Sequence, residues 1–155
     1  DEVIELYSDM VYRLAFSQAK SKSDADDIFQ EVFLRYIRKS RTFESEEHRK
    51  AWLIRVTINC GKKFWASSWF KRTVPLEQFP ETSVTFDIPE ETELQSLLLE
   101  LPPNYRAVLH LFYYEDYSVE QISSALNRNP STVRAQLSRG RALLRKMLKG
   151  GPAHD

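Results

Sequence analysis

The segment TVPLEQFPETSVTFDIP, Thr73 to Pro89, constrains the fold of this 155-residue chain more than any other stretch. It carries three prolines and no helical periodicity. Proline inside a helix removes a hydrogen bond and clashes with the preceding turn, so no helix runs through it. The apolar stripes on either side therefore belong to two separate helical blocks. No alternating run is long enough for a sheet, there is no internal repeat, and only four glycines interrupt the chain. The expectation is an all-α fold, with two small helical domains at 1–72 and 90–149, a linker at 73–89 and a tail at 150–155.

Charge follows the same division. The chain is neutral overall, with 22 basic and 22 acidic side chains. Residues 1–72 hold fourteen Lys/Arg against eleven Asp/Glu, residues 73–100 hold seven acids and no base, and residues 101–149 hold eight bases against three acids. Two basic halves thus flank an acidic, proline-containing linker. A single cysteine, Cys60, excludes an internal disulfide and reads as a small buried hydrophobe. No run reaches the length of a membrane span, which predicts no direct membrane insertion and a cytoplasmic protein.

In the first block, Val3, Leu6, Tyr7, Met10, Val11, Leu14 and Ala15 follow the spacing of one helix face. Ser23, with Asp26 three residues on, reads as the cap of a second helix. That helix turns Ala25, Ile28, Phe29, Val32, Phe33, Tyr36 and Ile37 inward. A third helix is expected from about His48 to Phe70. In the second block a short helix, Glu91 to Leu99, precedes another from Asn104 to Tyr114. Ser118 and Gln121 form a capping box, and Asn129 with Pro130 opens the last helix.

That last stretch, NPSTVRAQLSRGRALLRKMLK, has six basic residues and no acid. A short helix, a tight turn and a longer basic helix match a helix-turn-helix, whose second helix enters the DNA major groove. Val133, Leu137 and Leu144 face inward, while Arg134, Gln136, Arg139 and Arg141 face out. Arg suits guanine edges and Gln adenine edges. The competing reading is a solvated helix whose cations favour the negative end of its dipole.

From His48 to Leu76 there is again no acid. Trp52, Arg55, Asn59, Lys62 and Lys63 stack along one side of the third helix, and bases interleaved with rings suit unpaired nucleotides. Packing into the core explains the aromatics equally well. On the second helix, Leu34 stands among the polar Asp24, Asp27, Gln30, Glu31, Arg35 and Arg38, which points to a protein partner there.

Together these stretches resemble the sigma-70 family. DADDIFQEVFLRYIR (Asp24 to Arg38) is similar to its core-polymerase-binding helix, and RKAWLIRVTINCGKKF (Arg49 to Phe64) to its promoter-melting helix. The stretch from Leu101 to Lys146 is similar to region four, which reads the minus-thirty-five element. Regions two and four joined directly resemble the extracytoplasmic-function (ECF) group.

The resemblance implies a promoter-specificity subunit of bacterial RNA polymerase without catalysis, cofactor or metal. The alternative is a stand-alone helix-turn-helix regulator that binds duplex DNA without polymerase. Asp27, Gln30, Glu31 and Leu34 would meet the β′ clamp helices. His48, Trp52, Arg55, Asn59, Lys62 and Lys63 would handle minus-ten DNA and its melted non-template strand, with the loop from Glu44 to His48. Arg134, Gln136, Arg139 and Arg141 would contact the minus-thirty-five duplex. The β flap and a cognate anti-sigma factor are further implied partners. Lys63, Gln136 and Ser131 depart from common family residues and bear on which promoter is preferred.

Overall fold

A computed structural model describes residues 2–19, 21–39, 42–66 and 93–149. The linker at 73–89, the far end of the expected third helix and the tail lie outside the described residues. Within them the chain is all-helical, with α1 (Glu2–Gln18), α2 (Lys22–Arg38), α3 (Glu46–Ala66), α4 (Glu93–Leu99), α5 (Pro103–Tyr113), α6 (Val119–Leu126) and α7 (Pro130–Leu148).

Helices α1, α2 and α3 pack against one another as a three-helix bundle. Their stripes of Val11, Leu14, Ile28, Val32, Leu53 and Ile54 are essentially sealed from solvent. Close approach of α1 and α3 is set by Gly61, where an added Cβ would lie 2.9 Å from Gln18 Cβ. Polar staples hold the helix ends: the Tyr7 hydroxyl donates to Glu46 Oε2 at 2.6 Å, and that of Tyr12 to Asp26 Oδ1 at 3.0 Å. Burial, then these carboxylate bonds, push both phenols up to about 12.

Three local readings need correction. The α2 cap is Ser21, not Ser23: Ser21 is extended and its hydroxyl accepts the Asp24 N–H at 3.1 Å, so the helix begins about half a turn earlier. Leu6 is 68% exposed because it lies about 100° round α1 from Tyr7, beyond the stripe that α2 and α3 cover. Ile37, near the end of α2, is 65% exposed and falls beside Leu34 instead of in the core.

In the second unit α5 packs on α7, with α6 bracing both and α4 against α7. Here the local signals act as read. Ser118 and Gln121 form the reciprocal capping box, with both bonds near 3 Å. Asn127 ends α6 at φ 55°, a left-handed conformation that Asn tolerates well. Asn129 then caps α7 with Pro130 in its first turn. Val133, Leu137, Gly140, Leu144 and Met147 make the buried stripe of α7, and Ile122 of α6 has no exposure.

Candidate nucleic-acid and polymerase interfaces

The outer face of α7 follows from that stripe. Arg134 and Arg139 are exposed and Gln136 is half-buried. Arg128, in the turn before α7, donates to Gln136 Oε1 at 3.0 Å and reaches Asn104 Oδ1 at 3.4 Å. The Gln136 amide oxygen is thus taken up by Arg128. Sequence reasoning took Arg128 only as a turn residue. Beside it an open cleft of about 510 Å³ runs between the start of α5 and α7, lined by Asn104, Thr132, Gln136 and Arg139.

Arg141 sits differently. Its Nε donates to the Tyr113 hydroxyl at 2.7 Å, and its guanidinium lies over the Phe112 and Tyr113 rings at 5.1 and 5.7 Å. With Arg145 it rims an apolar groove of about 340 Å³ whose walls are Leu98, Leu109, Tyr114, Leu144 and Leu148. Leu148 is 60% exposed at its lip. The four residues expected on one DNA face therefore divide, with Gln136 and Arg139 at the cleft and Arg141 at the groove.

On α3, His48, Asn59, Lys62 and Lys63 are exposed, and Trp52 is half-buried. The Trp52 ring belongs to an aromatic cluster with Tyr36 and Phe43, at 6.1 and 5.8 Å between centroids. Tyr36 and Phe43 lie parallel at 6.3 Å. Lys39 Nζ stands 4.4 Å from the Trp52 centroid, and Arg49 lies over Phe43 at 5.4 Å. Trp52 thus packs on rings with a cation over it and stays half-buried, the arrangement that the core-packing reading expects. The sequence marks Tyr36 only as an inward residue of α2 and does not mark Lys39 or Phe43, because these meet Trp52 only when α2 packs on α3.

Arg55 is the exception on this helix. Its Nη1 donates to the Ala125 carbonyl of α6 at 3.0 Å, so it binds the second unit. On α2, Leu34 is 45% exposed next to Ile37, beside the Glu31–Arg35 pair at 3.4 Å. Gln30 lies about one turn before Leu34 and Asp27 about two, both half-buried. An apolar pair rimmed by carboxylates is suited to a protein surface with basic residues around an apolar contact.

A buried ionic knot joins α1 to the end of α5. Glu115 accepts two bonds from Arg13, at 3.0 and 2.9 Å, and faces His110 Nε2 at 3.2 Å. Burial alone pushes the Glu115 carboxyl up, but its bonds with His110 and Arg13 outweigh that and hold it down at about 2. No helix among the described residues is long and apolar enough to cross a membrane.

The described residues thus form a helix-turn-helix with a basic outer face and a three-helix bundle with an aromatic, cationic edge. Residues 3–71 match the family described as Sigma-70 region 2, and residues 91–144 the family described as Sigma-70, region 4. The chain is 30% identical to the RNA polymerase sigma-E factor of Streptomyces coelicolor, covering 96% of this chain and 85% of that protein. It is 27% identical to the ECF sigma factor SigW of Bacillus subtilis, over 96% and 88%. It is 32% identical to the ECF sigma factor SigE of Mycolicibacterium smegmatis, spanning 96% of this chain but 61% of that longer protein. In fold it is similar to the sigma factor RpoE of Bartonella quintana, solved with the anti-sigma factor NepR. The TM-score is 0.71 at 19% identity, covering 96% and 95% of the two chains. The chain belongs to the sigma-70 family, in its ECF group, and is a promoter-specificity subunit of RNA polymerase; the stand-alone regulator is not favoured.

Proposed function

We propose that the two units divide promoter recognition as follows. The first, residues 1–72, docks on the β′ clamp helices through Asp27, Gln30, Glu31 and Leu34, with Ile37 extending the apolar contact. Its α3 edge captures unstacked minus-ten bases of the non-template strand. Asn59 supplies amide bonds to a base edge, Trp52 a stacking surface, and His48, Arg55, Lys62 and Lys63 positive charge for the backbone. Capturing extruded bases offsets the few kcal/mol that unstacking costs. The second unit, residues 90–149, reads the minus-thirty-five duplex through Arg134, Gln136 and Arg139, with Arg141 at the margin.

The observation that carries this reading is the pairing of an exposed Asn59 and a half-open Trp52 ring on one helix with a helix-turn-helix on the other side of the linker. About eighteen extended residues, at roughly 3.3–3.6 Å each, span on the order of 60 Å. That exceeds a DNA turn of about 34 Å, so two separated elements lie within reach. The apolar groove walled by Leu109 and Leu144 fits a helix of the β flap. Such a subunit works in the cytoplasm beside the polymerase, and a cognate anti-sigma factor is proposed by analogy with the complexed relative.

The test is holoenzyme binding to a fork-junction promoter whose minus-ten bases are unpaired. Asn59→Ala should weaken fork binding about tenfold, the scale of one lost base contact of 1–3 kcal/mol, while leaving duplex minus-thirty-five binding unchanged. Equal loss on both DNAs would refute the assignment of Asn59.

A further inference from the structure

The sequence pairs Gln136 with adenine, because a carboxamide can accept from adenine N6 while it donates to N7. The fold places a condition on that pairing. Arg128 Nη1 donates to Gln136 Oε1 at 3.0 Å, and Arg128 Nη2 makes a longer contact of 3.4 Å with Asn104 Oδ1. A guanidinium has donors and no acceptor, so only the oxygen end of the carboxamide can face it. The bond is charge-assisted, and therefore stronger than one between neutral groups.

Arg128 is itself held in place. Its N–H donates to the Ser123 carbonyl at 3.0 Å, and its own carbonyl accepts from the Ser123 hydroxyl. Asn127 before it takes the left-handed conformation that ends α6, and Asn129 after it caps α7. The backbone is fixed on both sides, and the half-buried side chain reaches from the turn to the start of α5 and to α7. The other end of the Gln136 carboxamide is different. Its Nε2 makes no hydrogen bond among the described residues and is not sealed from solvent, and the residue lines the open cleft shared with Thr132 and Arg139.

Given the promoter reading proposed above, on which this rests, we infer that Arg128 is a positioning residue for the minus-thirty-five contact. It makes Gln136 a donor-only group that takes an acceptor on the DNA and does not read adenine. With Oε1 facing a cation, adenine N6 would bring a second donor to an oxygen already engaged. Guanine instead offers two acceptors, N7 and O6, and a phosphate offers acceptors alone. The guanine edge and the phosphate oxygen share this chemistry, and they separate by experiment because only the base carries sequence.

The experiment is selection by the holoenzyme from a duplex library randomised over the minus-thirty-five element, with the full chain as parent, Gln136→Ala, Arg128→Ala, the double variant and Gln136→Glu. With a base as acceptor, one position prefers guanine over adenine by roughly tenfold in the parent. Gln136→Ala removes that preference, and Arg128→Ala, which frees the oxygen, moves it toward adenine. With a phosphate as acceptor, both alanine variants weaken every duplex alike, and the Arg128→Ala loss vanishes in the Gln136→Ala background. An adenine preference that depends on Gln136 and survives Arg128→Ala overturns the inference. So does an Arg128→Ala protein with parental affinity and preference. Gln136→Glu keeps a partner for Arg128, and with it the turn, but has no donor; it should bind no better than Gln136→Ala, and parental binding by it overturns the donor role. Urea unfolding of the free chain decides the pair without DNA: the double variant should be less destabilised than the product of the two single effects, by roughly threefold or more in the unfolding constant. An additive cycle overturns the positioning by Arg128. It does so even where the parent holoenzyme selects no upstream sequence, the result that refutes the promoter reading itself.

Discussion

Replacing Glu115 by Gln keeps the shape of the side chain and removes the charge at the centre of the α1–α5 knot. The carboxyl is held at about 2 against an ordinary 4.5. Each pH unit of that gap corresponds to about 1.4 kcal/mol, so the ionised form contributes on the order of 3 kcal/mol to the folded state. Solvent screens the 43% exposed Arg13 side of the pair, which lowers the expectation to about 2 kcal/mol. Because the folded value is depressed, the contribution is complete above the unfolded value near 4.5 and disappears as pH falls through about 2. Urea unfolding followed by far-ultraviolet circular dichroism should place Glu115→Gln about 2 kcal/mol below the parent at pH 7 and at pH 5. The two proteins should converge toward pH 2. Equal midpoints at pH 7, or a difference that stays constant down to pH 2, would refute the electrostatic account of this knot.

Two further substitutions probe other parts of the argument. At Gly61, Ala gains about 1 kcal/mol of helix propensity but places a Cβ 2.9 Å from Gln18 Cβ, which is no flexible chain end; overpacking of this kind costs about 1–3 kcal/mol. Thermal denaturation of Gly61→Ala should therefore show a lowered melting temperature, and a raised one would mean that α1 and α3 are looser than described. Arg139→Ala should weaken binding to the minus-thirty-five duplex by about 1–3 kcal/mol if Arg139 reads a base edge. If it holds only a phosphate, affinity should fall alike on specific and random duplexes, and the slope against log salt should drop by about 0.9.

Much of this was legible in the sequence because it is local. A capping box and an Asn-Pro helix start each involve residues within a few positions, and Ser118 and Asn129 act as their spacing predicts. Leu34 was legible for the same reason, since an apolar residue among charges on one face needs only helical geometry to be noticed. The misplacement of Leu6 and Ile37 has a physical origin. Periodicity gives the direction of a face, while the width and length covered depend on where neighbouring helices cross it.

The Arg13–Glu115 pair spans 102 positions, and no pattern in either helix announces it. Arg55 looks like one more cation on a basic helix until α6 is packed against it. Arg128 is similar, a turn residue by its neighbours and a support for Gln136 only once α7 is folded over the turn. The aromatic cluster was half legible. Trp52 stood out, but Tyr36 and Phe43 join it only through the crossing of α2 and α3.

The central claim is that the α2 face engages RNA polymerase. Its most direct test is size-exclusion chromatography of the chain with purified bacterial core polymerase, alongside Leu34→Asp. Leu34 is 45% exposed, so Asp there leaves the bundle folded while placing a charge in the apolar contact. The account predicts co-elution of the parent chain with core and loss of co-elution for Leu34→Asp. Parent and variant co-eluting equally would contradict the assignment of the α2 face. A parent chain that stays apart from core, while binding duplex DNA tightly by itself, would contradict the account as a whole.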